Sequence, residues 1–417
     1  MLHYPNRVPI IIFVACITQI FGQQSIDTLQ SLQILFRHGE RAPTKILIFP
    51  NEDPKILDKF PIEAGELTND GIMQEYQLGQ YIRTTYDKFL GKRYIPSQIR
   101  VLAGTDNRTV VSALSVLASL FPPEGDQVWS QLLKWQPIAV HSQPILDQFA
   151  IGAFDSCPNL MDTYQNTDVY KKIAADDTPF KQWLTQMTGI EVNDPIIYNQ
   201  VLDCLISRTS LKDLPPPMWA QNDTILGMVS EKHIRLNAQI TDLILAESGG
   251  WLYNLFVEGI ENRINNLTNH KLLLYAAHDG NILTFGKFFA IPQLSTMPPF
   301  GSAIVLEHHL RNGDHVVELW FHSFQSNSRT QIAIPGCGDP CLFNDFKRMN
   351  RRFSSSSWTF LCKGDSELCE DYSIVLATMV GLTIMLGILT VLLVFVCCAY
   401  RNRLNKLLDP EQQSLLR

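Results

Sequence analysis

The sequence predicts an α/β domain, a core sheet flanked by helices, followed by a single C-terminal transmembrane helix. Two observations predict it. Three β-prone runs each stop at a polar loop and give way to a helical pattern, the repeating order of a layered α/β domain. A separate run from Ile374 to Tyr400 holds 27 residues without a charge.

The first β-prone run is Ser31 to Phe36, which stops at Arg37-His38-Gly39. The second, Gln98 to Ala103, ends in Gly104-Thr105-Asp106. Asn107 to Phe121 follows with apolar residues three and four apart and a stop at Pro122-Pro123, the pattern of a helix. The third, Lys271 to Ala277, ends in His278-Asp279-Gly280 and leads into a helical pattern from Asn281 to Phe289. In open α/β sheets ligands bind beyond the C-terminal strand ends, where the next helices also aim their N-terminal donors. The stretch from 145 to 245 differs. It has helical patches (Thr178 to Met187, Ser230 to Glu247), the Pro-rich link Leu214 to Pro217 and few strand signals, so it reads as a mostly helical cap beside the sheet. Asn312-Gly313-Asp314 predicts a β-hairpin turn.

The uncharged run exceeds the roughly 20 residues that span a bilayer. Arg401, Arg403 and Lys406 follow it, whereas Asp365, Glu367, Glu370 and Asp371 precede it. The excess of positive charge after the span puts the tail, 401–417, in the cytosol and residues 23–372 outside or in a lumen, a type I topology. At the N-terminus, Arg7 precedes a short apolar stretch and Gly22, as in a secretory signal covering residues 1–22. Six cysteines fall in the lumenal part: Cys157, Cys204, Cys337, Cys341, Cys362 and Cys369. An even number in an oxidising compartment predicts disulfides, with 15 pairings open; Cys337 and Cys341 are candidates for a short-loop bridge. Sequons at Asn222 and Asn266 are candidate glycosylation sites, and a third lies at Asn107. The net charge of −7 and the lack of a basic face exclude nucleic acid as a partner.

The chemistry concentrates at the strand ends. Arg37, Arg41 and Arg108 offer planar donor forks that suit phosphate oxygens. His38 lies between two of them, and neighbouring guanidinium charge disfavours an imidazolium, leaving a neutral nucleophile. Asp279 beside His278 is a candidate acid for a departing alkoxide, with acidic pH expected to keep it protonated. The residue set therefore points to cleavage of phosphate monoesters. His308, His309, His315 and His322 lack metal-ligand spacing and fall on the hairpin. Trp129, Trp135, Trp183, Trp219 and Trp251 read as packing residues.

Several motifs in order carry a resemblance: Ile34 to Pro43 (ILFRHGERAP), Gly65 to Gly71 (GELTNDG), Thr105 to Thr109 (TDNRT), Ala277-His278-Asp279 and Ile334 to Cys337 (IPGC). From about Leu32 to Cys362 the chain resembles the histidine acid phosphatases, in their lysosomal and prostatic branch. The resemblance implies a phosphoglycerate-mutase-like core with a helical cap, no cofactor and a homodimer. It implies His38 as phosphohistidine nucleophile, Arg37, Arg41, Arg108 and His278 as phosphate ligands, and Asp279 as proton donor. It also implies Cys157–Cys362 and Cys337–Cys341 disulfides, with Cys204 and Cys369 unassigned. Gly280 and Asn281 depart from the threonines usual after the His-Asp pair. Asn107, next to Arg108, is expected to be buried and unglycosylated.

The expected function is an acid phosphatase of the endosome–lysosome membrane or cell surface. The alternatives are a selective lipid or phosphoprotein phosphatase, and a silent receptor that keeps the phosphate pocket. In the tail, Glu411, Leu415 and Leu416 match the acidic dileucine pattern read by clathrin adaptors, an expected partner.

Overall fold

The computed structural model describes residues 27–150, 152–349 and 355–407. The chain divides into two units, residues 1–358 and 359–417.

The first unit is built on an eight-stranded mixed sheet. Strand β1 (Leu29–Arg37) leads through a long loop to helix α1 (Asn69–Leu90), and β2 (Ile99–Ala103) leads to helix α2 (Asn107–Leu120). A short edge strand β3 (His141–Ser142) precedes a run of helices: α3 (Gly152–Ser156), α4 (Pro158–Tyr164), α5 (Asp168–Ala175), α6 (Thr178–Thr188), α7 (Pro195–Ser207), α8 (Asp223–Leu243) and α9 (Leu245–Ile264). The chain then returns to the sheet through β4 (Leu272–Ala277) and helix α10 (Asp279–Phe288). It finishes with the antiparallel strands β5 (Ala303–Arg311), β6 (Asp314–Ser323) and β7 (Ser328–Ile332), and with β8 (Cys341–Leu342) on β6.

The strand order is β3-β2-β4-β1-β5-β6-β7, so β4 slots between the first two strands although it arrives some 170 residues later. The β4 pairings are parallel and in register: Arg37 lies opposite Ala277, and Ala103 opposite Ala276. Three C-terminal strand ends are thereby level at one edge. Alternation along β1 divides the core. Leu35 packs with Tyr275, Phe256 and Phe285 on one face. Ile34 and Phe36 pack with Leu78, Ile82, Val116 and Leu117 of α1 and α2 on the other. Both faces of β1 and β4 are covered, as parallel strands require, whereas β2 leaves Arg100 exposed on one face. The predicted hairpin turn forms between β5 and β6, with Asn312 and Gly313 both at positive φ (54° and 92°).

Trp129 packs edge-on against Trp135 and donates its indole N–H to the Trp135 carbonyl at 2.7 Å, although 59% of it stays exposed; Leu132, at 98%, is more exposed still. Cys337 and Cys341 form a disulfide. Cys157 is disulfide-bonded, but the expected partner Cys362 and also Cys369 lie outside the described side chains. Cys204 is a free, fully buried thiol, and burial pushes its pKa up to about 11.

The second unit contains a helix, α11 being the short Phe343–Phe346 segment of the first unit and α12 the long Ser355–Leu407. Within α12, Val375–Leu407 is long and apolar enough to cross a membrane, and its side chains are exposed throughout. The helix continues through Arg401, Arg403 and Lys406, past the end of the uncharged run. Residues 1–22 and the tail motif at Glu411, Leu415 and Leu416 lie outside the described residues.

Candidate active site

The site forms where β1, β2 and β4 end. The loop after β1 turns sharply because Gly39 meets the start of α1 at backbone distance. A Cβ on Gly39 would fall 2.2 Å from the Gly71 carbonyl oxygen, and one on Gly71 would fall 2.0 Å from that of Glu40. Thr68 locks the same contact. As N-cap of α1 its hydroxyl accepts from the Gly71 N–H, and it donates to the Glu40 carboxylate at 2.9 Å. This explains the Gly65 to Gly71 motif, whose residues fix the loop rather than touch a substrate.

His38 sits at the floor, 1% exposed. Its Nδ1 lies 2.8 Å from the Gly39 carbonyl oxygen, which can only accept. Nδ1 therefore carries the proton, and Nε2 keeps its lone pair. Burial pushes the His38 pKa well below the ordinary imidazole range, and Arg108, Arg41, His278 and Arg37 add to the effect. Desolvation outranks the arginine charges that sequence reasoning named.

A cavity of about 330 Å³ opens above it, lined by His38, Arg41, Arg108, His278 and Asp279 among others. Of the four residues foreseen as phosphate ligands, Arg41, Arg108 and His278 line it and Arg37 adjoins it through Asp279; each is held by an acidic partner. Arg37 pairs with Asp279 at 2.6 Å, donates to the Pro298 carbonyl at 2.6 Å and lies 4.0 Å over the Phe300 ring. Arg41 forms a two-armed pair with Asp203, at 2.9 and 3.3 Å. Burial disfavours the Arg41 charge, but Asp203 outweighs it and raises the pKa. Burial works against the Asp203 carboxylate too, yet Arg41 holds it far below the usual range. Arg108 is paired with Asp106. The His278 Nε2 meets Asp147 at 2.8 Å, and its ring stands edge-on to His38 with centroids 5.4 Å apart.

Asp279 corrects the expectation that acidic pH keeps it protonated. Burial alone would raise its pKa, but Arg37, then Arg41 and His278, bring it below the usual carboxylate range. An anion that draws Arg37 or Arg41 away from Asp279 would raise its proton affinity. Asn107 is corrected as well. It is exposed at the start of α2, and its amide donates to Glu66 at 2.9 Å. Asn281 replaces a threonine without loss of the cap: its Oδ1 accepts from the His278 N–H at 2.9 Å.

Sequence reasoning missed Asp147, Asp203 and Thr44. Asp147 accepts from the Thr105 N–H and hydroxyl, both at 2.6 Å, while orienting His278. A Cβ at Gly104 would fall 1.9 Å from its carboxylate. Thr44 gives Asp203 two further donors, at 2.9 and 2.8 Å. None of these residues has a motif of its own; they are second partners of arginine and histidine, visible only once the chain is folded. Asp106, Asp147 and His278 have donor atoms close enough for a cation. However, Arg108, Thr105 and His278 already satisfy those carboxylates, so the cavity is built to receive an anion.

The profile of the histidine phosphatase superfamily, branch 2, matches residues 28–322. The prostatic acid phosphatase of Rattus norvegicus is 30% identical over 352 residues, 81% of this chain and 90% of that one. The lysosomal acid phosphatase of Rattus norvegicus is 27% identical over 88% of each chain. Among solved structures, the phytase from Citrobacter braakii superposes with a TM-score of 0.52 at 16% identity, covering 77% of this chain and 96% of that one. At that identity the likeness is one of fold.

Proposed function

Because this chain belongs to the histidine phosphatase superfamily, branch 2, we propose that it is an acid phosphatase that hydrolyses phosphate monoesters through a phosphohistidine on His38. The observation that carries this reading is the free Nε2 of His38, in one cavity with Arg41, Arg108 and His278.

A phosphoryl dianion entering the cavity meets Arg37, Arg41, Arg108 and His278, which spread its charge and aim phosphorus at Nε2. The Nε2–P bond forms as the ester P–O bond breaks. The departing oxygen needs a proton, and Asp279 supplies it. When phosphate draws the Arg37 guanidinium, the interaction that holds Asp279 ionised weakens and buried Asp279 becomes a carboxylic acid. In the second step water attacks phosphorus, the N–P bond breaks, and the water's proton goes to Asp279. A nucleophile that stays neutral below its ordinary pKa suits an acidic compartment.

The assay is hydrolysis of 4-nitrophenyl phosphate by the full chain across pH 4 to 8. Substituting His38→Ala is expected to lower kcat by at least about 10³-fold; normal turnover in that variant sinks the reading.

We further read residues 1–22 as a signal, 23–372 as the lumenal domain with its cap at about 145–245, 374–400 as the span and 401–417 as a cytosolic tail. This type I protein would reside in the endosome–lysosome membrane or at the cell surface. The exposure of Asn222 and Asn266 supports their glycosylation. The exposed Trp129, Leu132 and Leu133, in the loop that leads to the edge strand β3, support a homodimer. The tail's Glu411, Leu415 and Leu416 would bind a clathrin adaptor.

A further inference from the structure

The wall of the cavity facing the phosphoryl cluster comes from the cap helices α7 and α8. It presents Asn199 and Gln200 from α7, and His233 and Asn237 from α8, one turn apart. None belongs to the nucleophile, the phosphate ligands or the acid. Among the described residues the His233 ring makes no hydrogen bond, although it is half-buried and lines a cavity rich in charge. The Asn237 amide is fixed: it donates to Asn199 Oδ1 at 2.9 Å and to the His233 carbonyl at 3.0 Å. That bridge ties the two helices and leaves the Asn237 oxygen and the Asn199 amide nitrogen without a partner among the described residues. Phe149 and Ile196 are the larger apolar side chains on this lining.

His233 lines the cavity from the cap side, in company with Asp279, the acid proposed for the departing oxygen. The wall therefore confronts whatever is esterified to the phosphate. Its chemistry is that of amides and one imidazole, which pair with hydroxyl groups. It offers no lysine, and the cavity's two lining arginines are already paired with Asp203 and Asp106. A second phosphate would meet carboxylates rather than free cations. The cavity, about 330 Å³, is near the lower end of small-molecule sites.

We propose that His233, with Asn199 and Asn237, is a specificity wall that selects phosphate monoesters of small, uncharged, hydroxyl-bearing alcohols over aryl and polyphosphorylated esters. This rests on the phosphatase reading above and names the substrate class of the same site.

The test compares kcat/KM for glycerol 2-phosphate and for 4-nitrophenyl phosphate in the full chain, its His233→Ala variant and its Asn199→Ala variant. Each lost hydrogen bond to substrate is expected to lower the glycerol-to-aryl ratio about fivefold, and the variant at His233 up to about tenfold. A ratio that moves less than twofold in both variants overturns the wall. Wild-type protein that turns over inositol hexakisphosphate as efficiently as glycerol 2-phosphate overturns it too. Wild-type protein inert toward every ester instead removes the phosphatase reading, which is a distinguishable failure. If His233→Ala loses both substrates alike, the position-specific readout passes to His233→Gln, which keeps a donor: a ratio lowered at least threefold supports the wall, and an unmoved ratio overturns it.

Discussion

Substituting Asp203→Asn separates the support of Arg41 from the chemistry of His38. Asp203 accepts from both terminal nitrogens of Arg41, from the Thr44 N–H and hydroxyl, and from the Ser207 hydroxyl at 3.3 Å. An asparagine would set an NH₂ against some of those donors and leave the guanidinium without its counter-charge. The two side chains are only 8% and 6% exposed, so water screens little of this loss. Removing one partner of such a buried pair costs about 3–5 kcal/mol. For a domain of this size that lowers the melting temperature by roughly 5 °C. Arg41 would also lose its fixed position, and a misplacement near 1 Å in a phosphate clamp lowers kcat/KM about 10²-fold. Thermal unfolding followed by circular dichroism and steady-state turnover of an aryl phosphate read the two effects independently. A variant that melts within about 2 °C of wild type and keeps kcat/KM within threefold would refute the claim that Asp203 positions Arg41.

Two further predictions concern buried titratable groups. Burial pushes the His322 pKa down to about 4, with the Ser328 backbone opposing and Arg329 assisting; burial and the His315 and His309 charges push that of His308 down to about 3. Above pH 6.5 both are neutral folded or unfolded. Between pH 6.5 and 4 only the unfolded chain takes up their protons, so each lowers stability by about 1.4 kcal/mol per pH unit as pH falls. His322→Phe keeps the stack on Tyr81, 3.8 Å away, and should flatten the pH dependence of urea unfolding by that slope; an unchanged slope refutes the assignment. Glu75 is fully buried, and neither carboxyl oxygen has a hydrogen-bond partner among the described residues. Burial raises its pKa well above the ordinary range, and Arg37 opposes this only in part. Glu75→Gln then swaps one neutral group for another, with unfolding free energy expected within about 1 kcal/mol of wild type. A tenfold loss of turnover would show that an ionised Glu75 supports Arg37.

The strand runs ending at Arg37, Ala103 and Ala277, the helix after Asn107 and the uncharged run from Ile374 are local patterns, because periodicity and turn residues act within a few positions. The nucleophile and its arginines were legible for the same reason: Arg37-His38-Gly39-Glu40-Arg41 is one short segment. Burial and partners were not. Asn107 is exposed against expectation, since exposure depends on what packs across from a residue. Asp203, Asp147 and His233 reach the site from helices and loops far along the chain. The insertion of β4 between β1 and β2, a pairing across more than 230 residues, brings His278 and Asp279 beside His38. It is also what ties Asp279 to Arg37. The sequence by itself determined which groups could bind and attack a phosphate; only the tertiary structure decided which of them are charged, which are oriented, and what faces the leaving group. Charge state and orientation come from desolvation and from partners distant in sequence, and neither is a property of a segment.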